Sequence, residues 1–180
     1  MLSEQQLRDK AYSASTKHLT EKMKNNANIW QLMIAPKNLF TFIDRSNNPL
    51  FEIQLKFAEL VYLTVFIKML KDRDFSESEI QTLKKQSEIL DMQIKQLGPE
   101  REQLGQLVQT TEEMMSTLQF LSLFTPANPQ VQSSLNMGQH LRPTLRLCDA
   151  SIKEAKNIGK MFADIFERHD AKVTSSNALN

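Results

Sequence analysis

The chain has 180 residues, 22 lysines and arginines against 21 aspartates and glutamates, and a formal net charge of +1. That balance removes any global electrostatic ground for nucleic acid or an anionic membrane as the main partner, and the length suits one domain whose core needs no metal or disulfide staple. Cys148 is the single cysteine, so an intrachain disulfide is excluded and a reducing compartment is compatible.

The first residues, Met1 to Gln5, do not combine a basic region with an apolar one, so a Sec-type signal is not expected; export by a non-Sec route stays open. A cytoplasmic location is the expectation. Four glycines and six prolines among abundant Leu, Gln, Lys, Glu and Met favour helix over a turn-rich β domain.

Residues 3–26 predict a polar helix with Leu7, Ala11, Ala14, His18 and Met23 as a thin buried stripe, stopped by Asn25, Asn26 and Asn28. Ile29 to Ile34 is a short apolar element ended by Pro36. Over residues 39–57 the pattern is two-sided: Phe51, Ile53, Leu55 and Phe57 alternate with polar residues, as in a small β-hairpin, while Asn48 and Pro49 suit a helix start. Helix over Leu50 to Lys71 is preferred, because the apolar run is long for a strand. Its most apolar part, Phe57 to Ile67, falls short of the about 20 residues that span a bilayer and reads as a buried central helix.

From Ser76 to Phe124 the spacing predicts two amphipathic helices meeting at Gly98 and Pro99. Ile80, Leu83, Leu90, Ile94 and Leu97 mark the first, and Leu104, Leu107, Met114, Leu118 and Leu121 the second. Ser76 and Glu79 have capping-box spacing. Pro126, Asn128 and Pro129 then break the chain, Val131 to Met137 form one or two turns ending at Gly138, and a last helix runs from Leu141 to Asp170 with Pro143 in its first turn. The small polar residues 173–180 are expected to be a disordered tail after a domain over 1–172.

The expected fold is therefore all-α: a single-domain helical bundle of five or six helices around a long central hairpin, with the small β-hairpin near residues 39–57 as the local alternative. No catalytic residue, cofactor site or metal site is expected. His18, His140 and His169 form no Glu-x-x-His or His-x-x-x-His pair, and the four glycines make no phosphate loop. Cys148, on an apolar face of the last helix, reads as a core residue. On that helix Leu145, Cys148, Ile152, Ala155, Gly159, Phe162 and Phe166 share one face, and Arg142, Arg146, Lys153, Lys156 and Lys160 share another. The basic face reads as ordinary solvated surface or as a docking stripe. Gly159 and Gly105 suggest close approach of another helix.

Two apolar clusters are candidate partner surfaces: Trp30, Phe40, Phe42 and Phe51, and the Met-rich end of the hairpin with Met114, Met115, Phe120 and Phe124. The leading expectation is a non-enzymatic adaptor, scaffold or chaperone-like module that binds another protein through helical surfaces and is able to self-associate. The other readings are a bacterial secreted effector acting by protein binding, an enzyme with a dispersed, motif-free site, and a membrane-surface or nucleic-acid binder using the basic face.

Overall fold

The computed structural model describes residues 2–25, 28–124 and 129–179. Its elements are α1 (Glu4–Lys24), a short 3-10 helix (Ile29–Met33), α2 (Phe51–Leu70), α3 (Glu77–Ser122), α4 (Pro129–Gly138) and α5 (Leu141–Leu179). The fold is all-helical, and among the described residues there is no strand.

The buried stripe of α1 is Leu7, Ala11, Ser15 and Leu19, one residue per turn, rather than the set expected through Ala14 and His18. Ser3 and Gln6 close a reciprocal capping box at its start, and the helix ends at Asn25 as its asparagines imply. Asn26 lies outside the described residues.

Residues 39–50 form turns and the helix begins at Phe51, two residues later than Asn48 and Pro49 suggest, with no β-hairpin. Asn48 does not cap α2; its Oδ1 accepts from Leu50 N at 3.0 Å, and its Nδ2 donates to Asp44 O and to Gln54 Oε1, both at 2.9 Å. Asn47 beside it takes the left-handed conformation (φ 53°) that asparagine tolerates. The alternation from Phe51 to Phe57 is overruled because a helical register buries Gln54, Phe57, Ala58 and Val61 together, with the Gln54 amide already paired. Farther along, Tyr62, Val65, Phe66, Ile67 and Leu70 are buried as well, which makes α2 apolar nearly all round and central. The Tyr62 hydroxyl donates to Leu32 O at 2.7 Å and pins the 3-10 segment; burial pushes its pKa up to about 12.

The packing order is α1 on α2, α2 on α5, and α5 on α3. α5 is thus buried on two sides. Besides Cys148, Ala155 and Phe162 of the expected apolar face, it buries Leu147, Ala150, Ser151, Glu154, Ile158 and Ile165.

The main correction concerns α3. Instead of two helices meeting at Gly98 and Pro99, it is one helix of 46 residues, about 69 Å long at ~1.5 Å per residue. Its hairpin partner is α5, and the reversal lies in the segment that carries α4. Three polar ties fix the antiparallel register: His169 Nε2 to Glu77 Oε2 at 3.1 Å, Arg101 Nε to Asp149 Oδ1 at 2.8 Å, and Arg142 Nε to Glu112 Oε1 at 2.5 Å. Pro99 has no N–H to offer the Lys95 carbonyl, but Lys95, Gly98 and Pro99 are all exposed, so water reaches the freed acceptor. The predicted Ser76–Glu79 capping box is formed in both directions.

The expected tail continues α5 as helix through Leu179, with residues 171–179 exposed. The preceding turns are anchored on the α2–α3 connection: Arg168 pairs with Asp72 and donates to Arg73 O, and Lys172 pairs with Asp74. Adding residues to an anchored helix costs far less than starting one.

Candidate functional site

The aromatic cluster near the N-terminal half is part of the packing. Phe40 is buried, and Trp30, Phe42 and Phe51 lie against the core. Phe40 and Phe42 meet edge to face with centroids 6.1 Å apart, and the cations of Lys10 and Arg45 cover Phe42 and Phe51.

The opposite end of the molecule is different. On the last turns of α3 and just beyond, Met114 is 60 % exposed, Phe120 61 %, Leu123 77 % and Phe124 73 %. The Phe120 and Phe124 rings pair edge to face, centroids 5.4 Å apart. Met115 is the exception: Gly138 of α4 closes onto its Sδ so tightly that a Cβ at 138 would overlap it. Counting about 100° per residue, Phe120 falls roughly opposite the face of α3 that carries Arg101, Val108 and Met115, Leu107 and Met114 flank that face, and Phe124 lies in the turn just past the helix end. Leu121 continues the seven-residue spacing of Leu107 and Met114 and is also exposed. This stretch is charge-free as well: from Met114 to Gln139 the sequence has no Asp, Glu, Lys or Arg, in a chain that is 24 % charged. The base of the tip carries the Glu112–Arg142 pair, and the guanidinium hydrogen bond holds the Glu112 carboxyl below its ordinary pKa.

The basic residues of α5 do not act as one set. Arg142 is committed to Glu112, Arg146 and Lys153 are exposed, and Lys156 and Lys160 border a groove of about 540 Å³ between α3 and α5. Gly159 opens into that groove. A Cβ there would meet nothing within 4 Å, so the glycine does not mark a close helix approach. Gly105, in turn, makes room for the guanidinium of its neighbour Arg101, whose Nη1 would lie 3.0 Å from a Cβ at 105.

A polar cluster that sequence reading missed ties three helices together. The Glu154 carboxylate, 5 % exposed on α5, accepts from Arg8 Nη1 of α1 at 2.7 Å and from Thr64 Oγ1 of α2 at 2.7 Å. The Arg8 guanidinium also lies 5.0 Å from the Phe57 ring centroid. Both carboxylate oxygens of Glu154 thus accept a hydrogen bond, Oε2 from Arg8 and Oε1 from Thr64, which is what a buried charge requires.

Cys148 is buried, and burial chiefly pushes its thiol pKa up, away from nucleophilic chemistry at neutral pH. The histidines lie apart: His169 pairs with Glu77, and His18 sits 6.3 Å from the Tyr62 ring. Among the described residues no three His, Cys, Asp or Glu side chains converge in a way that would hold a metal, and no helix is long and apolar enough to cross a membrane. No protein-family model, curated protein or solved structure matches this chain.

Proposed function

We propose that the chain is a non-enzymatic, cytoplasmic interaction module that binds a helix of a partner protein through the far end of its α3–α5 hairpin. The observation that carries this reading is the tip itself, where Met114, Phe120, Leu121 and Phe124 are exposed at and just past the helix end in a stretch without a charged side chain, with Leu107 exposed two turns before it. A soluble helix keeps polar residues on the side away from its packing partner; one that is apolar on several sides is normally enclosed. Leu107, Met114 and Leu121, spaced by seven, form the seam that a partner helix reads by knobs-into-holes packing, and the flexible methionine adapts to its shape. Phe120 and Phe124 are the anchors, since aromatic side chains dominate binding energy in such patches.

The test is an affinity pull-down from native lysate at low and moderate salt, with the wild-type chain and the Phe120→Ser/Phe124→Ser double variant as baits. Exposed rings contribute little to the fold, so both baits should melt within about 2 °C of each other. The wild type should retain a near-stoichiometric protein at moderate salt and the variant should lose it. Retention of the same protein by both baits would remove the tip as the binding surface.

A further inference from the structure

The groove between α3 and α5 supports a second recognition site, independent of the hairpin tip. Its floor is apolar, made by Ile94 on one wall and Ala163 and Phe166 on the other, with Gly159 leaving space where any larger residue would project. Two packed helices normally close over such small residues, because a gap forfeits the dispersion contacts of its walls. Here the gap persists. Phe166 is held by stacking on Phe162, centroids 6.1 Å apart with planes at 17°, and its ring is covered from the α3 side by Lys84.

The rim carries cations on both walls, and its net positive charge lies on α5. Lys156 and Lys160 stand one helical turn apart on α5, and Lys95 faces them from α3. Asp91, one turn before Lys95, offsets it on the α3 wall, so the lining sums to a positive charge through Lys156 and Lys160. Among the described residues no carboxylate lies within ion-pair distance of Lys95, Lys156 or Lys160, in contrast to Arg101, Arg142, Arg168 and Lys172 on the same two helices.

We propose that this groove docks an acidic amphipathic helix of a partner protein. An apolar ridge enters above Gly159, and carboxylates on either flank meet Lys95 on one side and Lys156 with Lys160 on the other. Charge complementarity selects this occupant. A basic helix is repelled by Lys156 and Lys160 on the α5 wall, and a nucleic-acid strand would set its charge over an apolar floor whose one ring, Phe166, has its faces taken by Phe162 and Lys84.

The experiment uses the full chain and two fluorescein-labelled synthetic helical peptides that share a leucine ridge at i, i+3, i+4 and i+7. One carries glutamates on both flanks and the other lysines; binding is read by anisotropy. The acidic peptide should bind with a Kd below about 100 μM and weaken as salt rises, and the basic one should not bind. Gly159→Phe fills the groove and should weaken binding at least tenfold, while Gly159→Ala, which stays short of the floor, should keep it within about threefold. Lys156→Glu with Lys160→Glu should weaken it at least tenfold, and circular dichroism establishes that each variant is folded. Equal binding of both peptides, undiminished binding by folded Gly159→Phe, or no saturable binding of the acidic peptide would overturn the proposal.

Discussion

Replacing Pro99 with alanine is expected to stabilise the protein by roughly 2–3 kcal/mol, because a proline inside a helix costs about 3 kcal/mol relative to alanine. For a chain of this size that is a rise in Tm of roughly 5–10 °C, together with a gain in helical ellipticity. The direction depends on α3 being continuous. Within a helix, alanine restores the hydrogen bond to the Lys95 carbonyl and relieves the ring against the preceding turn. In a turn between two helices, proline restricts the unfolded chain, and its removal would leave stability unchanged or lower it by a few tenths to about 1 kcal/mol. Thermal melts of Pro99→Ala beside the wild type therefore separate the two arrangements by sign. Pro99 lies on the exposed face, so no packing change obscures the result.

The second large effect belongs to the Arg8–Glu154–Thr64 cluster. Arg8→Ala leaves the carboxylate of Glu154 buried without its cation and removes the guanidinium from the Phe57 ring. Stripping one partner from a fully buried pair costs about 3–5 kcal/mol. The Arg8 side chain is 32 % exposed, so solvent screens part of this and about 2–3 kcal/mol is expected. The double variant Arg8→Met/Glu154→Leu removes both charges and keeps comparable volume; it should recover most of the loss, since a well-packed apolar pair often equals a buried ion pair. Urea unfolding of the two variants measures both terms. A double variant no more stable than Arg8→Ala would mean that the carboxylate contributes through Thr64 alone.

The α3 cap, the end of α1 and the length of α2 were legible because each is local, whereas the α1 stripe and the α2 start were not. The Ser76–Glu79 box, the stop at Asn25 and the apolar length of α2 each depend on residues within a few turns. The course of α3 was misread because Gly98 and Pro99 carry strong local signals for a break. The contrary signal was present: the positions 80, 83, 87, 90, 94, 97, 101, 104, 108, 111, 115 and 118 alternate steps of three and four without losing phase at residue 99. Two helices joined by a turn have no need to share a phase, whereas one helix keeping a single seam against a neighbour does. Ser87, Arg101 and Thr111 disguise that rhythm, since each is a polar residue in a seam position.

The second buried side of α5 escaped notice for a similar reason. Its members include Ser151 and Glu154, which a helical wheel assigns to solvent, and Glu154 becomes intelligible only when Arg8, 146 positions away, is placed beside it. At the tip, the sequence identified Met114, Met115, Phe120 and Phe124 as one cluster but could not divide them. The division follows from α4, which covers Met115 through Gly138 and leaves the other three exposed. The aromatic cluster around Phe40 went the other way, because the 3-10 helix and the following turns fold it back onto α2. Gly159 shows how one composition has two meanings: a small residue in an apolar face either draws helices together or keeps a groove open, and only the position of the neighbouring helix decides.

The continuity of α3 is the premise on which the hairpin tip rests, and a single distance tests it. Gln81 and Thr117 are exposed and symmetrically placed about Pro99. In a Cys148→Ala background, Gln81→Cys and Thr117→Cys accept a pair of nitroxide labels, and double electron–electron resonance reads their separation. A continuous α3 places the two backbones about 54 Å apart, roughly 36 residues at ~1.5 Å each. A narrow distribution near that value is the expected result. A peak at about 10–20 Å, the spacing of two antiparallel helices folded at Gly98 and Pro99, would contradict it.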